Sequence, residues 1–213
     1  MADAPLYKQR RTYTRELHDV HLHGNHKLHA VCTSKGEDLD KMLSMFRRKL
    51  SRMPVKLVGI DVEYTHYVKP QAMELDKFLM NGEYTFVGFA IEGDKSKLKV
   101  SGLEINSDNY IDIQVEWRDP YNKKNFDSLA DVAGRMIYIH YHDMKKKNNR
   151  KEDHTLWGFC PLPEKLIKYA AIDAFARYES WRIIYDVIMG LDRAKRYKEA
   201  KKKKNKAVIE YIN

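Results

Sequence analysis

A short apolar run that ends in two carboxylates constrains the fold of this 213-residue chain more than any other feature. Residues 55–60 read VKLVGI, and Asp61 and Glu63 follow almost at once. A nearly continuous apolar run of this length is typical of a strand buried on both faces of a sheet. Residues i and i+2 of a strand share a face, so both carboxylates are predicted to point the same way inside the fold. No Lys or Arg lies beside them in the sequence to balance their charge, which makes them candidates for chemistry.

Strand and helix patterns alternate around this run. Two strands joined at Gly24-Asn25 are predicted between residues 12 and 33, followed by an amphipathic helix over 37–51. Further strands are predicted at 84–90 and 110–117, and further helices at 73–80, 92–99, 126–137 and after Pro163, the last with a break near Gly190. This order predicts an α/β protein with a mixed sheet flanked by helices.

The charge of the chain is concentrated near its C-terminal end. The 39 Lys and Arg exceed the 30 Asp and Glu by nine. Residues 192–206 hold nine basic and two acidic side chains, a local charge of +7, so the rest of the chain carries only +2. A basic tail on a nearly balanced body suits attraction to phosphates or a nuclear-import signal, and it is equally typical of a solvated helix end.

Composition sets the class of protein and its expected location. A hydrophobic content of 43% is enough for one core, which predicts a single domain over residues 12–190 between an N-terminal tail (1–11) and a basic C-terminal helix or tail (191–213). Two distant cysteines, Cys32 and Cys160, indicate a reducing compartment rather than a disulfide framework. No apolar stretch approaches the ~20 residues of a membrane span. We therefore expect no membrane partner and an intracellular protein of the nucleus, the cytoplasm or both.

Two more acidic positions complete a possible metal site. Asp94 follows the second buried run, and Asp173 lies four residues after Tyr169 on the late helix, so these last two side chains share a helix face. Together with Asp61 and Glu63, they offer four carboxylates that could converge on one cleft. Such a cluster favours hard divalent cations, and it suits two Mg²⁺ or Mn²⁺ ions acting on a phosphodiester.

Three segments carry a resemblance to a known family. They are VGIDVEYT (58–65), FVGFAIEGDKSKL (86–98) and LWGFCPLPEKLIKYAAIDAFARYES (156–180). In this order, with Tyr-x-x-x-Asp in the third, they resemble the motifs of DEDDy-type 3′-5′ exonucleases of the DnaQ-like superfamily. The small Werner-syndrome-like exonucleases of plants are the nearest group. The resemblance covers roughly residues 12–190.

The resemblance implies a ribonuclease-H-like fold and a hydrolytic reaction without a protein nucleophile. Asp61, Glu63, Asp94 and Asp173 would hold two metal ions, and Tyr169 would help to position and activate the attacking water. The implied activity is a metal-dependent 3′-5′ exonuclease that removes nucleoside 5′-monophosphates from single-stranded or frayed RNA or DNA.

One segment departs from the family pattern. The family has two more strands between its first motif and the next helix, whereas residues 64–83 contain no run suited to two strands. The sheet is therefore predicted to be shortened by two strands, which would expose the flank of the strand that carries Asp61. The alternative function is then a catalytically impaired relative that binds nucleic acid or regulates an oligomer, through self-association or through a paralogue.

Structural explanations exist for each of these residues taken singly. Asp94 could cap its helix, Asp173 could pair with Arg177, and Tyr169 could be a core aromatic. Bases could stack on the three tryptophans, Trp117, Trp157 and Trp181, but their apolar neighbours favour core packing. The basic loop at 144–151 could contact a backbone phosphate or could simply be solvated.

A histidine cluster offers a second candidate metal site. It comprises His18, His21, His23, His26 and His29. No Cys, Asp or Glu stands at the usual zinc-site spacing, so we expect histidines on the solvent face of a hairpin.

Overall fold

The computed structural model describes residues 12–63, 73–143 and 156–212, with side chains described to residue 199 except residue 197. The strands are β1 (Thr14–His21), β2 (Lys27–Thr33), β3 (Leu57–Gly59), β4 (Thr85–Gly88) and β5 (Tyr110–Asp112). The helices are α1 (Gly36–Leu50), α2 (Met73–Leu79), α3 (Ile91–Val100), α4 (Ile113–Glu116), α5 (Leu129–Met136) and α6 (Glu164–Ile212), with a 3-10 turn at Ile139–Asp143. The predicted tail at 1–11 and the basic loop at 144–151 lie outside the described residues.

The α/β class is confirmed, but the prediction of one mixed sheet is wrong for the strands described. The strands β3, β4 and β5 form a parallel sheet in that order, while β1 and β2 form a separate antiparallel hairpin. The hairpin packs on α6, where Val20 and Ala30 contact Ile167. The antiparallel pairing is therefore between β1 and β2, which are neighbours in the sequence.

Helices cover both faces of the parallel sheet. Successive residues of a strand point to opposite faces, and Phe86 and Val87 of β4 are both fully buried for this reason. Phe86 packs with apolar side chains of α1, α2 and α3, whereas Val87 packs with Val132 of α5 and with Trp181 and Ile184 of α6. The short apolar runs in the sequence thus reflect burial on two sides.

The third strand is shorter than the sequence pattern predicts. Residues 110–117 were expected to be one strand, but β5 ends at Asp112 and α4 begins at the next residue. The Asp112 carboxylate accepts hydrogen bonds from the backbone N–H groups of Ala90, Ile91 and Gln114, each at 3.0 Å. Since this side chain caps two helix starts, it ends the strand where β-branched composition would continue it.

Helix α6 is continuous, so the predicted break near Gly190 is wrong. A single glycine inside a helix costs only about 1 kcal/mol relative to alanine, and the flanking residues are good helix formers. No helix among the described residues is both long enough and apolar enough to cross a membrane.

The segment predicted to lack two strands is partly described. Residues 73–83 contain α2 and no strand, while 64–72 lie outside the described residues. Among the strands described, β3 pairs only with β4, so one edge of β3 has no described strand beside it.

The Asp112→Ala substitution tests the capping role of that side chain. We expect a loss of about 2 kcal/mol in the free energy of unfolding, because three backbone N–H groups lose a charged acceptor and two of them start α3. Urea unfolding followed by far-ultraviolet circular dichroism measures it. Asp108→Ala, at an exposed site just before β5, should cost less than about 0.5 kcal/mol. Equal losses for the two variants would contradict the assignment.

Candidate metal centre

The first two acidic residues lie just beyond the carboxyl end of β3. The backbone N–H of Ile60 still donates to the carbonyl of Val87 at 2.9 Å, and Asp61 and Glu63 follow outside the assigned strand. Because all three strands run parallel, their carboxyl ends meet at one edge of the sheet. The pair is thus at the sheet edge where side chains from successive elements converge, rather than within a strand.

Gly59 allows α6 to reach this edge. A Cβ atom at Gly59 would lie 2.2 Å from the carbonyl oxygen of Ala174 and 3.0 Å from the Cβ of Tyr178. The backbone of β3 therefore touches the backbone of α6 one residue after Asp173. This approach brings the late helix, with its Tyr-x-x-x-Asp pattern, against the strand that leads to Asp61.

Asp94 reaches the site from α3. It is the fourth residue of that helix and is buried, so it is not the helix cap that the sequence left open as an alternative. The cap position is Ala90, which has a left-handed backbone (φ 54°, ψ 45°) and donates its N–H to Asp112. Asp112 is therefore a positioning residue, since it holds the turn from which α3 presents Asp94.

Electrostatic interactions connect the four predicted carboxylates with one another or with Tyr169. Burial raises the pKa of Asp94, and the negative charge of Asp61 raises it further, while Arg177 and Lys97 oppose the shift. Glu63 and Asp173 both raise the pKa of Tyr169, as does Asp61. The fold thus brings together Asp61, Glu63, Asp94, Tyr169 and Asp173 from three separate segments.

Tyr169 is protonated at neutral pH in this setting. Burial is the main cause of its raised pKa, and the neighbouring carboxylates add to the shift, with a hydrogen bond to Asp173. A phenol in this state donates its proton to an acceptor and does not act as a phenolate base. Its edge-to-face contact with Trp157, at 6.2 Å between ring centroids, fixes the ring beside the carboxylates.

Arg177 forms a buried ion pair at this site that the sequence pattern does not predict. Its Nη2 atom lies 2.7 Å from Oδ1 of Asp61, and both side chains are at most 10% exposed. Burial opposes the charged form, yet Asp61, Asp173 and Asp94 together raise the pKa of Arg177. The sequence offers Arg177 as a partner of Asp173, whereas in the structure its ion pair is with Asp61, because α6 packs against β3.

A second cation lies at the rim. Lys97 Nζ is 3.5 Å from Asp94 and donates to the carbonyl of Val62 at 2.9 Å, but its side chain is 42% exposed. Four carboxylates thus face one buried and one partly exposed positive charge, which leaves a formal charge of −2. The helical spacing of Asp94 and Lys97 is visible in the sequence, whereas the approach of Lys97 to Val62 depends on packing.

The donor set suits Mg²⁺ or Mn²⁺ in its chemistry. All four candidate ligands offer carboxylate oxygens, and Asp61 Oδ2 is buried without a hydrogen-bond partner in the described part of the chain. Nevertheless, among the described residues, no three of these carboxylates bring one oxygen each within 4.8 Å of one another. One of the four, Asp61, is instead ion-paired with Arg177 at 2.7 Å.

The histidine cluster includes an acidic residue after all. Glu16, His18 and His29 place three ligand atoms within 4.8 Å on the exposed face of the hairpin, with the two rings stacked at 4.6 Å. Spacing along the chain does not reveal this set, because His29 reaches Glu16 across the strand pair. His23 instead hydrogen-bonds the hydroxyl of Tyr141 at 2.8 Å.

A cavity of about 330 Å³ lies near the start of α6. It is lined by Thr12, Tyr13, Ser34, Trp157, Phe159, Cys160 and Leu162. Phe159 is 60% exposed, whereas Trp181 is buried in the core as the sequence predicts. Trp157 joins this cavity to the carboxylate cluster, since its ring also contacts Tyr169.

Comparison with protein-family models and with curated proteins finds no match to this chain.

Proposed function

We propose that the protein is a metal-dependent 3′-5′ exonuclease. Its substrate is the terminal phosphodiester at the 3′ end of single-stranded or frayed nucleic acid, RNA or DNA, and its product is a nucleoside 5′-monophosphate. The observation that supports this proposal best is the convergence of Asp61, Glu63, Asp94 and Asp173, with Tyr169, at the carboxyl edge of a parallel sheet.

Each residue has a role in this reaction. The four carboxylates would hold Mg²⁺ or Mn²⁺, in the two-ion arrangement whose chemistry is to neutralise charge on the attacking and leaving oxygens of a phosphodiester. Tyr169, as a neutral hydroxyl, orients the water next to the scissile bond. Trp157 and the adjoining cavity offer an apolar surface for the terminal base.

The charge distribution supports a polyanionic substrate. The segment 192–206 carries a local charge of +7, and the backbone of α6 continues through it. A basic helix of this kind attracts a phosphate backbone, with an affinity that falls as salt rises. The acidic cluster alone would repel the same backbone, so the basic tail and the metal ions would together offset that repulsion.

A second candidate function is a nucleic-acid-binding or regulatory subunit with little turnover. Two observations favour it: Arg177 neutralises part of the carboxylate cluster, and β3 has one edge without a described strand. An open strand edge is suited to pairing with another copy or with a paralogue. This candidate predicts salt-sensitive binding of strands that are not shortened.

The deciding experiment is a gel assay of the purified chain on 5′-labelled single strands of RNA and of DNA. With Mg²⁺ or Mn²⁺ we expect a ladder that shortens from the 3′ end, and with EDTA no cleavage. Glu63→Gln should reduce the rate at least ~100-fold, because it removes a ligand charge and keeps the side-chain shape.

Two controls make the assay specific. Glu104→Gln makes the same chemical change at an exposed site that follows α3 in the sequence. It should leave the rate unchanged. Strands labelled at the 3′ end should release labelled mononucleotide first. Retarded but intact strands would favour the binding subunit, and cleavage that Glu63→Gln leaves unaltered would remove the basis for this site.

A further inference from the structure

The buried ion pair between Arg177 and Asp61 lies inside the site that the proposed function assigns to metal ions. Arg177 follows Asp173 by one helical turn, so the two side chains share the face of α6 that packs on β3. The guanidinium therefore points into the carboxylate cluster, where it contacts Asp61 at 2.7 Å and acts electrostatically on Asp94 and Asp173.

The ion pair leaves several polar atoms unsatisfied. Within the described residues, Arg177 Nε and Nη1 are buried without a hydrogen-bond partner, and so is Asp61 Oδ2. A buried guanidinium is most stable when its whole fork of donors is used, so this pair is held less firmly than a bidentate one. A divalent cation at Asp61 would offer more charge to the same oxygens.

We propose that Arg177 is an internal counter-ion that competes with divalent metal for Asp61. The guanidinium and the metal ion bind the same carboxylate, and a metal ion binds tightly only when the guanidinium leaves Asp61. This inference rests on the proposed metal site but not on turnover. It gives Arg177 the role of a positioning residue that sets the metal concentration at which the site fills.

Metal binding measured directly tests this role. Mn²⁺ is titrated into the full chain, and the electron paramagnetic resonance signal of free aqueous Mn²⁺ reports the bound fraction. Arg177→Met keeps an unbranched side chain and removes the charge, and we expect about 100-fold tighter binding than in the wild type. Lys97→Met removes an equal charge from the rim, where water screens it, and should change the affinity less than about threefold.

A second comparison covers the case in which Arg177→Met does not fold. Asp61→Asn keeps an acceptor for the guanidinium and leaves three candidate carboxylate ligands. The double variant Asp61→Asn/Arg177→Met has the same three carboxylates but no guanidinium. The double variant should bind Mn²⁺ at least ~10-fold more tightly than the single variant. The proposal would be overturned if Arg177→Met bound Mn²⁺ as the wild type does and the double variant bound it as Asp61→Asn does. A Lys97→Met effect as large as that of Arg177→Met would overturn the assignment to Arg177.

The same titrations separate this inference from the proposed function. If Arg177→Met binds Mn²⁺ more tightly but neither it nor the wild type shortens a strand, the counter-ion role holds and the exonuclease proposal fails. If the wild type degrades strands and Arg177→Met binds Mn²⁺ no more tightly, the exonuclease proposal holds and the counter-ion role fails.

Discussion

The substitution Asp61→Ala should lower the free energy of unfolding by about 3–5 kcal/mol in the presence of EDTA. Removing one partner of a buried ion pair leaves the other charge without compensation, and Arg177 is only 6% exposed. A site made only of mutually repelling carboxylates would respond in the opposite way, because each lost charge relieves repulsion. Urea unfolding of the metal-free variant therefore reports whether Arg177 neutralises this site.

Two further variants control this prediction. Asp94→Ala removes a buried carboxylate of the same cluster that repels Asp61, and it should change stability by less than about 1 kcal/mol. Asp61→Ala/Arg177→Met removes both charges and should recover most of the loss, since buried ion pairs are often replaceable by apolar side chains. A stability of Asp61→Ala equal to or above that of the wild type would contradict the ion pair.

The substitution Gly59→Ala should destabilise the fold by about 3 kcal/mol. The added methyl group would lie 2.2 Å from a backbone oxygen of α6, which cannot rotate away as a side chain can. Strand and helix must separate, and the carboxylates on either side of the contact separate with them. We expect a lower urea midpoint together with a loss of any Mn²⁺ binding at this site.

Gly93→Ala is the matched control for this contact. Gly93 lies in α3, and a Cβ there would meet no atom within 4 Å. Because alanine is the better helix former, this variant should gain up to about 1 kcal/mol. If Gly59→Ala were as stable as Gly93→Ala, β3 and α6 would not be in the close contact described.

Much of the fold could be predicted because local patterns report burial. The alternation of the hairpin, the apolar spacing of α1 and the buried runs at β3 and β4 each reflect which side chains face the core. The prediction failed at β5, where the β-branched composition of 110–117 favours a strand, but the Asp112 carboxylate accepts hydrogen bonds from backbone N–H groups at the start of α3. Such a tertiary hydrogen bond leaves no periodic signal.

The candidate site likewise contains residues that the sequence pattern indicates and one contact that only packing decides. Spacing along the chain placed Tyr169 and Asp173 on one helix face, and Asp61, Glu63 and Asp94 were singled out because they follow buried apolar runs. The strand face predicted for Asp61 and Glu63 does not apply, because β3 ends at Gly59. Arg177 was visible only as a neighbour of Asp173 on the same helix. Its pairing with Asp61 depends on how closely α6 approaches β3.

The sequence by itself therefore determined the α/β class, the order of most elements and the acidic residues that could meet. Only the tertiary structure decided that a buried cation meets them too and that Asp112 holds the turn bearing Asp94. It also brings His29 of β2 to Glu16 and His18 of β1. The physical reason is that periodicity encodes which face of an element is buried. It does not encode which distant side chain packs against that face, and that contact sets the charge of the site.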